Sequence, residues 1–132
     1  MVKLFDMIKI IFLLVLSFLI SCKTGEKNNV ENCKQEKIKF DISKLDEKGL
    51  LGNENGKVSI DYEFCIPNNQ AYLAEVLAID STLKKIDSKG KSKCDKNSFL
   101  IMGNTFNANY RIILCKIANL DYVKEINQTY WE

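Results

Sequence analysis

The apolar pattern divides the chain into three kinds of segment. Residues 10–20, Ile-Ile-Phe-Leu-Leu-Val-Leu-Ser-Phe-Leu-Ile, form a nearly unbroken apolar run. Residues 57–66 alternate instead. Val58, Ile60, Tyr62, Phe64 and Ile66 share one face, and Ser59, Asp61, Glu63 and Cys65 share the other. Beyond Tyr72, and again beyond Tyr110, apolar positions recur every three or four residues. A period of two reads as a strand and a period near 3.6 as a helix. Strict alternation predicts an antiparallel sheet with one covered face and one wet face.

The remaining elements follow from weaker signals. Ile38, Phe40 and Ile42 alternate with Lys37, Lys39 and Asp41, which predicts a short strand. Ser43 is placed to cap a brief helix through Leu50, ended by Gly49 and Gly52. Residues 52–56, Gly-Asn-Glu-Asn-Gly, read as a turn. Pro67 stops the alternating strand, and Asn68 or Asn69 caps a helix through Ile79 with Tyr72, Leu73, Val76 and Leu77 inward. A weak strand covers 83–87, a lysine-rich loop 88–97 and a buried strand 98–103. Asn104 to Asn107 supply a cap for a second helix over 108–119, where Tyr110, Ile113, Leu114 and Ile117 keep helical spacing. Residues 122–131 read as a final strand.

The order is therefore strand, helix, strand, strand, helix, strand over residues 57–131. This β-α-β-β-α-β order resembles the ferredoxin-like arrangement. The expected fold class is α+β, a four-stranded antiparallel sheet with two helices on one face. The closing segment Leu120–Ile126 is similar to the last strand of protease-propeptide inhibitor domains of that fold.

The apolar run carries a different message. Lys3 and Lys9 precede or open it, against the single acid Asp6, and Lys23, Glu26 and Lys27 follow it. A basic segment and a short apolar segment make the layout of a secretory signal. A membrane-crossing helix needs about 20 apolar residues. The run closes on Leu19-Ile20-Ser21-Cys22, which resembles the bacterial lipoprotein signal, where a small residue precedes an obligatory cysteine. The resemblance covers residues 1–22 and implies a diacylglyceryl group on Cys22, with cleavage leaving Cys22 as the first mature residue. Two acyl chains hold a protein firmly where one holds it marginally. The expected division is a signal peptide over 1–21, a lipidated cysteine and flexible tether over 22–36, and an α+β domain over 37–132. The expected location is the bacterial cell envelope. Lys23, where an Asp would retain a lipoprotein at the inner membrane, favours the outer membrane.

Composition narrows the chemistry. The chain has 132 residues and no histidine. That removes Ser-His-Asp and Cys-His catalysis in their usual forms, His-ligated zinc, and the commonest base near neutral pH. The sequence assigns no catalytic residue, no cofactor and no metal. Without Lys3, Lys9 and Asp6, 17 basic side chains face 16 acidic ones, so no general electrostatic attraction to nucleic acid exists.

With Cys22 assigned to lipid, Cys33, Cys65, Cys94 and Cys115 remain. An even number in a small exported domain reads as disulfides. A four-thiolate zinc site is the rival, but it wants cysteines two to four residues apart, and here they lie 32, 29 and 21 positions apart. In the ferredoxin-like topology the strands ending at Cys65 and starting after Cys94 are neighbours, which predicts Cys65–Cys94. Cys33 then pairs with Cys115 by default, or Cys115 is simply a small core residue.

Four further features bear on function. Lys84, Lys85, Lys89, Lys91, Lys93 and Lys96 face only Asp87 and Asp95, so this loop suits an anionic surface or acidic partner, or is a solvated hairpin tip. Asp61 and Glu63 lie about 7 Å apart along one strand face, a spacing open to acid–base work or to plain solvated charge. Asn104–Asn107 open a helix whose free amides suit an anion, although capping alone explains the asparagines. Tyr130 and Trp131 offer an aromatic contact or edge-strand packing. The sequence reading is thus a non-catalytic, lipid-anchored envelope protein working through an envelope protein partner as scaffold, accessory or immunity-type factor. The alternative is a small-ligand or protease-inhibitor-like module.

Overall fold

The computed structural model describes residues 3–17, 32–87 and 92–131, side chains 15–17 excepted. The apolar run begins as helix α1, Leu4–Ser17. Its described apolar side chains are exposed, from 79% at Phe5 to 49% at Met7, and among the described residues none of the core comes from it.

The alternating stretch is two strands rather than one. Strand β1, Leu50–Leu51, pairs with β2, Val58–Ser59, as a small ribbon. Strand β3, Asp61–Pro67, belongs to the main sheet. The chain changes partner at Ile60, where Thr105 holds it: the Ile60 amide donates to Thr105 Oγ1 at 2.9 Å, and the Thr105 amide donates to the Ile60 carbonyl at 2.9 Å. Thr105 Oγ1 also donates to the Gly49 carbonyl at 2.7 Å. Gly49 has φ +79°, and a Cβ there would collide with the Thr105 carbonyl, so only glycine fits.

Helix α2, Gln70–Ile79, starts where Asn69 Oδ1 accepts the Ala71 amide at 2.7 Å. Strand β4, Lys84–Ile86, follows, then β5, Ser98–Asn104, helix α3, Tyr110–Ala118, and β6, Asn127–Gln128. The main sheet has the order β4-β5-β3-β6 and is antiparallel throughout. Seven residue pairs join β3 to β5, from Asp61 opposite Asn104 to Pro67 opposite Ser98. Tyr62, Phe64, Ile66 and Ile101 of the sheet share one core with Val76 of α2 and Ile113, Leu114 and Ile117 of α3. Burial of such side chains contributes about 1.5–3 kcal/mol each.

Three expectations from the pattern are corrected. Residues 43–50 form no α-helix. A single 3-10 turn covers Ile42–Lys44 and is capped by Asp41, not Ser43. Beyond it, Asp46 accepts the amides of Lys48 and Leu50, which turns the chain into β1. Residues 38–42 form no strand, because only Ile38 makes a ladder contact, a parallel bridge to Ile126. The final strand shrinks to two residues. Val123 and Ile126 are buried between turns, and Ile126 bonds to Lys37 and Lys39 instead of extending β6. Alternating apolar residues fill the core here, but the ladder partners needed to make them strands are taken by other segments.

Candidate functional site

The sheet face opposite the helical core carries the chemistry flagged in the sequence. Register places Asp61, Glu63 and Cys65 beside Asn104, Met102 and Leu100, with Lys84 and Ile86 beyond them on β4. The face is not wet, as alternation suggests: Glu63 is fully buried and Leu100 is 3% exposed. The chain end and the segment after residue 91 cover it.

The carboxyl groups do the holding. Glu63 Oε1 accepts the Ser92 amide at 2.6 Å, and Oε2 accepts the Thr129 hydroxyl at 3.2 Å. Asp61 Oδ1 accepts Asn104 Nδ2 at 2.6 Å, and Oδ2 accepts the Trp131 indole at 2.8 Å. Asn127 Nδ2 adds a bond to the Ser92 hydroxyl at 3.1 Å. All four carboxyl oxygens thus receive protein donors. That arrangement docks Ser92, Thr129 and Trp131 onto the sheet. Ser92 and Thr129 were not visible as partners in the sequence, since hydroxyl residues in loops carry no periodic signal. Trp131 was flagged as a contact. Its ring is 72% exposed, while its indole N–H is committed to Asp61.

Beside this face the disulfide is present. Cys65 and Cys94 are bonded, with sequence separation 29. It borders an open cleft of about 650 Å³ lined by Ile66, Pro67, Lys93, Tyr122, Lys124 and Glu125 among others. Tyr122 donates to Glu75 Oε2 at 2.7 Å and meets the Tyr72 ring at 4.4 Å. Burial, and then the Glu75 carboxylate, push the Tyr122 hydroxyl pKa well above its usual range. Tyr72 therefore faces Tyr122 at the surface rather than the core, at 37% exposure.

Among the described residues, Lys84, Lys85 and Lys93 occupy separate settings. Lys84 and Lys85 are successive residues of the exposed edge strand β4, so they point to opposite faces. Lys85 Nζ lies 4.3 Å from the Phe99 ring centre and 3.8 Å from Asp87 Oδ1. Lys93 occupies a left-handed turn at φ 47° next to Cys94. Lys89 and Lys91 lie outside the described residues, as does Cys22. At the start of α3, Asn104 Oδ1 accepts the Phe106 amide and Asn107 Oδ1 the Asn109 amide, at 2.7 and 2.8 Å. These bonds shape turns ahead of the helix and do not cap it, because the N-cap of α3 is Asn109, which makes no side-chain capping bond.

Cys33 and Cys115 are thiols in this structure, Cys33 half-buried and Cys115 buried. The pairing expected by default is not formed, and each of the two cysteines carries a free thiol. Burial first, then Cys115, push the Cys33 thiol up to about 12. Cys115 lies within the buried face of α3, contrary to its offset position in the helical pattern.

Among the described residues no cluster of three metal-ligating side chains occurs, and no helix is long and apolar enough to cross a membrane. Comparison with protein-family models, with curated proteins and with solved structures returns no match.

Proposed function

We propose that the chain is a bacterial lipoprotein, anchored through Cys22 in the cell envelope, whose body acts by binding another envelope protein. The observation that carries this reading is helix α1. An apolar helix in a folded domain normally buries its surface in the core. Here the described side chains of α1 are exposed and none of them joins the core. A detachable leader explains this. The tetrapeptide Leu19–Cys22 supplies the attachment chemistry, and Lys23 favours the outer membrane.

The strand order β4-β5-β3-β6, with α2 joining β3 to β4 and α3 joining β5 to β6, supports a ferredoxin-like body. A non-catalytic role is supported by the carboxyl groups of Asp61 and Glu63, whose oxygens are engaged in holding the covering segments. The cleft beside Cys65–Cys94 favours a second reading, a small-ligand or inhibitor-like module, because it gathers Pro67, Tyr122, Lys124 and Glu125 around one opening.

Palmitate labelling of cells expressing the wild type and Cys22→Ala tests the anchor. Label in the wild type and none in the variant is the expected result. Equal incorporation, or full-length unprocessed protein in the cytosol, overturns the proposal. Crosslinking in intact cells followed by purification then identifies the partner.

A further inference from the structure

The first described residues of the body lie against the end of α3. The Lys34 amide donates to Asn119 Oδ1 at 3.1 Å, and the Asn119 amide donates to the Cys115 carbonyl at 2.9 Å. Asn119 Nδ2 reaches the Cys115 sulfur at 4.0 Å. Lys34 Nζ pairs with Asp121 Oδ1 at 3.1 Å. Lys34, the residue after Cys33, and Cys115 thus share Asn119 as a partner, which sets Cys33 beside this end of α3. Two cysteines brought to one place in this way need little movement to bond.

We propose that Cys33–Cys115 is a second cross-link, closed by exchange with a disulfide donor, and that it clamps the lipid-bearing end of the chain to α3. Cys33 is the more accessible of the two. Its thiolate attacks one sulfur of the donor, forming a mixed disulfide and releasing one donor thiol. The Cys115 sulfur then attacks Cys33 Sγ and expels the second donor thiol. Two electrons pass to the donor disulfide, and the two cysteine protons are taken up by its sulfurs. Burial keeps the Cys33 thiol protonated, so the exchange is slow at neutral pH and accelerates in alkali.

The positional consequence rests on the lipoprotein reading. With the clamp closed, only the stretch from Cys22 to Cys33 separates lipid from body, eleven positions that extend at most about 36–40 Å. The end of α3 is then the part of the body held nearest the membrane.

Two arms test the proposal and separate it from the anchor. Purified full-length protein is incubated with oxidised glutathione, denatured, alkylated and mapped without reduction. The expected result is loss of both alkylation tags at Cys33 and Cys115, recovery of the two peptides joined, and Cys65–Cys94 unchanged. Cys33 and Cys115 both still tagged, or pairs scrambled with Cys65 and Cys94, overturn it. In the second arm the protein is acid-trapped from membranes and mapped in the same way. Lipid on Cys22 with both thiols free overturns the clamp and leaves the anchor standing. Absence of lipid overturns the anchor, and the glutathione arm alone then decides the cross-link.

Discussion

Glu63 shows how much a single side chain organises here. Its carboxyl group is enclosed and binds two segments that are remote in sequence, at Ser92 and Thr129. Removing a buried acceptor leaves its donors without partners, at about 1–3 kcal/mol each. Glu63→Ala is therefore expected to lose about 2–4 kcal/mol of stability, read from urea unfolding, with Glu63→Gln losing less because one acceptor oxygen remains. Asp46 gives a pH signature. The Leu50 amide first, then Lys57 Nζ at 2.9 Å, hold its carboxyl near a pKa of about 2, below the usual 3.8. A folded-state value below the unfolded one adds stability above the unfolded pKa, and that stability is lost as pH falls through the folded value. The difference in unfolding midpoint between wild type and Asp46→Asn should accordingly narrow as pH falls from about 5 to 2. A constant difference across that range would show that Asp46 does not titrate in this way. None of these roles was legible beforehand: period-two alternation put Glu63 in water, and nothing local announces Ser92 or Thr129.

Elements were read best where their own sequence determines them. Helix α2 begins at an asparagine cap and carries Leu73, Val76 and Leu77 inward, and β5 is a short apolar run that sits in the middle of the sheet. The disulfide followed from topology, since β3 and β5 pair along their full length and put Cys65 and Cys94 at one end. In the chain-entropy account, closing a loop of that separation stabilises by about 3–4 kcal/mol. Cys65→Ser with Cys94→Ser should lower stability by about that amount, measured by denaturant unfolding without reductant. Elements failed where a distant segment decides the outcome. Residues 57–60 keep the strand alternation but exchange partners at Ile60 because Thr105 intervenes. Residues 122–126 have strand composition, yet Ile126 is claimed by Lys37 and Lys39. Composition reports a preference for the extended state, whereas a ladder requires a free neighbour.

At the scale of the whole molecule, the described part of α1 adds no side chain to the core. The core draws on residues from Leu45 to Ile126, with Ile38, Phe40 and Ile42 packed against it, and α1 supplies none of them. Protein lacking residues 1–21 should melt within about 2 °C of the full chain, by calorimetry in detergent, since removing exposed groups changes stability little. A large drop would place the leader inside the fold.

If the chain is anchored as proposed, the form of strand β4 matters for its copies. It is three residues long, lies at the edge of the sheet, and presents Lys84 and Lys85 to solvent. Proteins tethered to one bilayer encounter their own copies far more often than proteins diffusing in bulk. A bare sheet margin would then invite stacking of neighbours into ribbons. Under the lipid anchoring proposed above, a brief, twice-charged border would repel its twin and keep crowded copies separate.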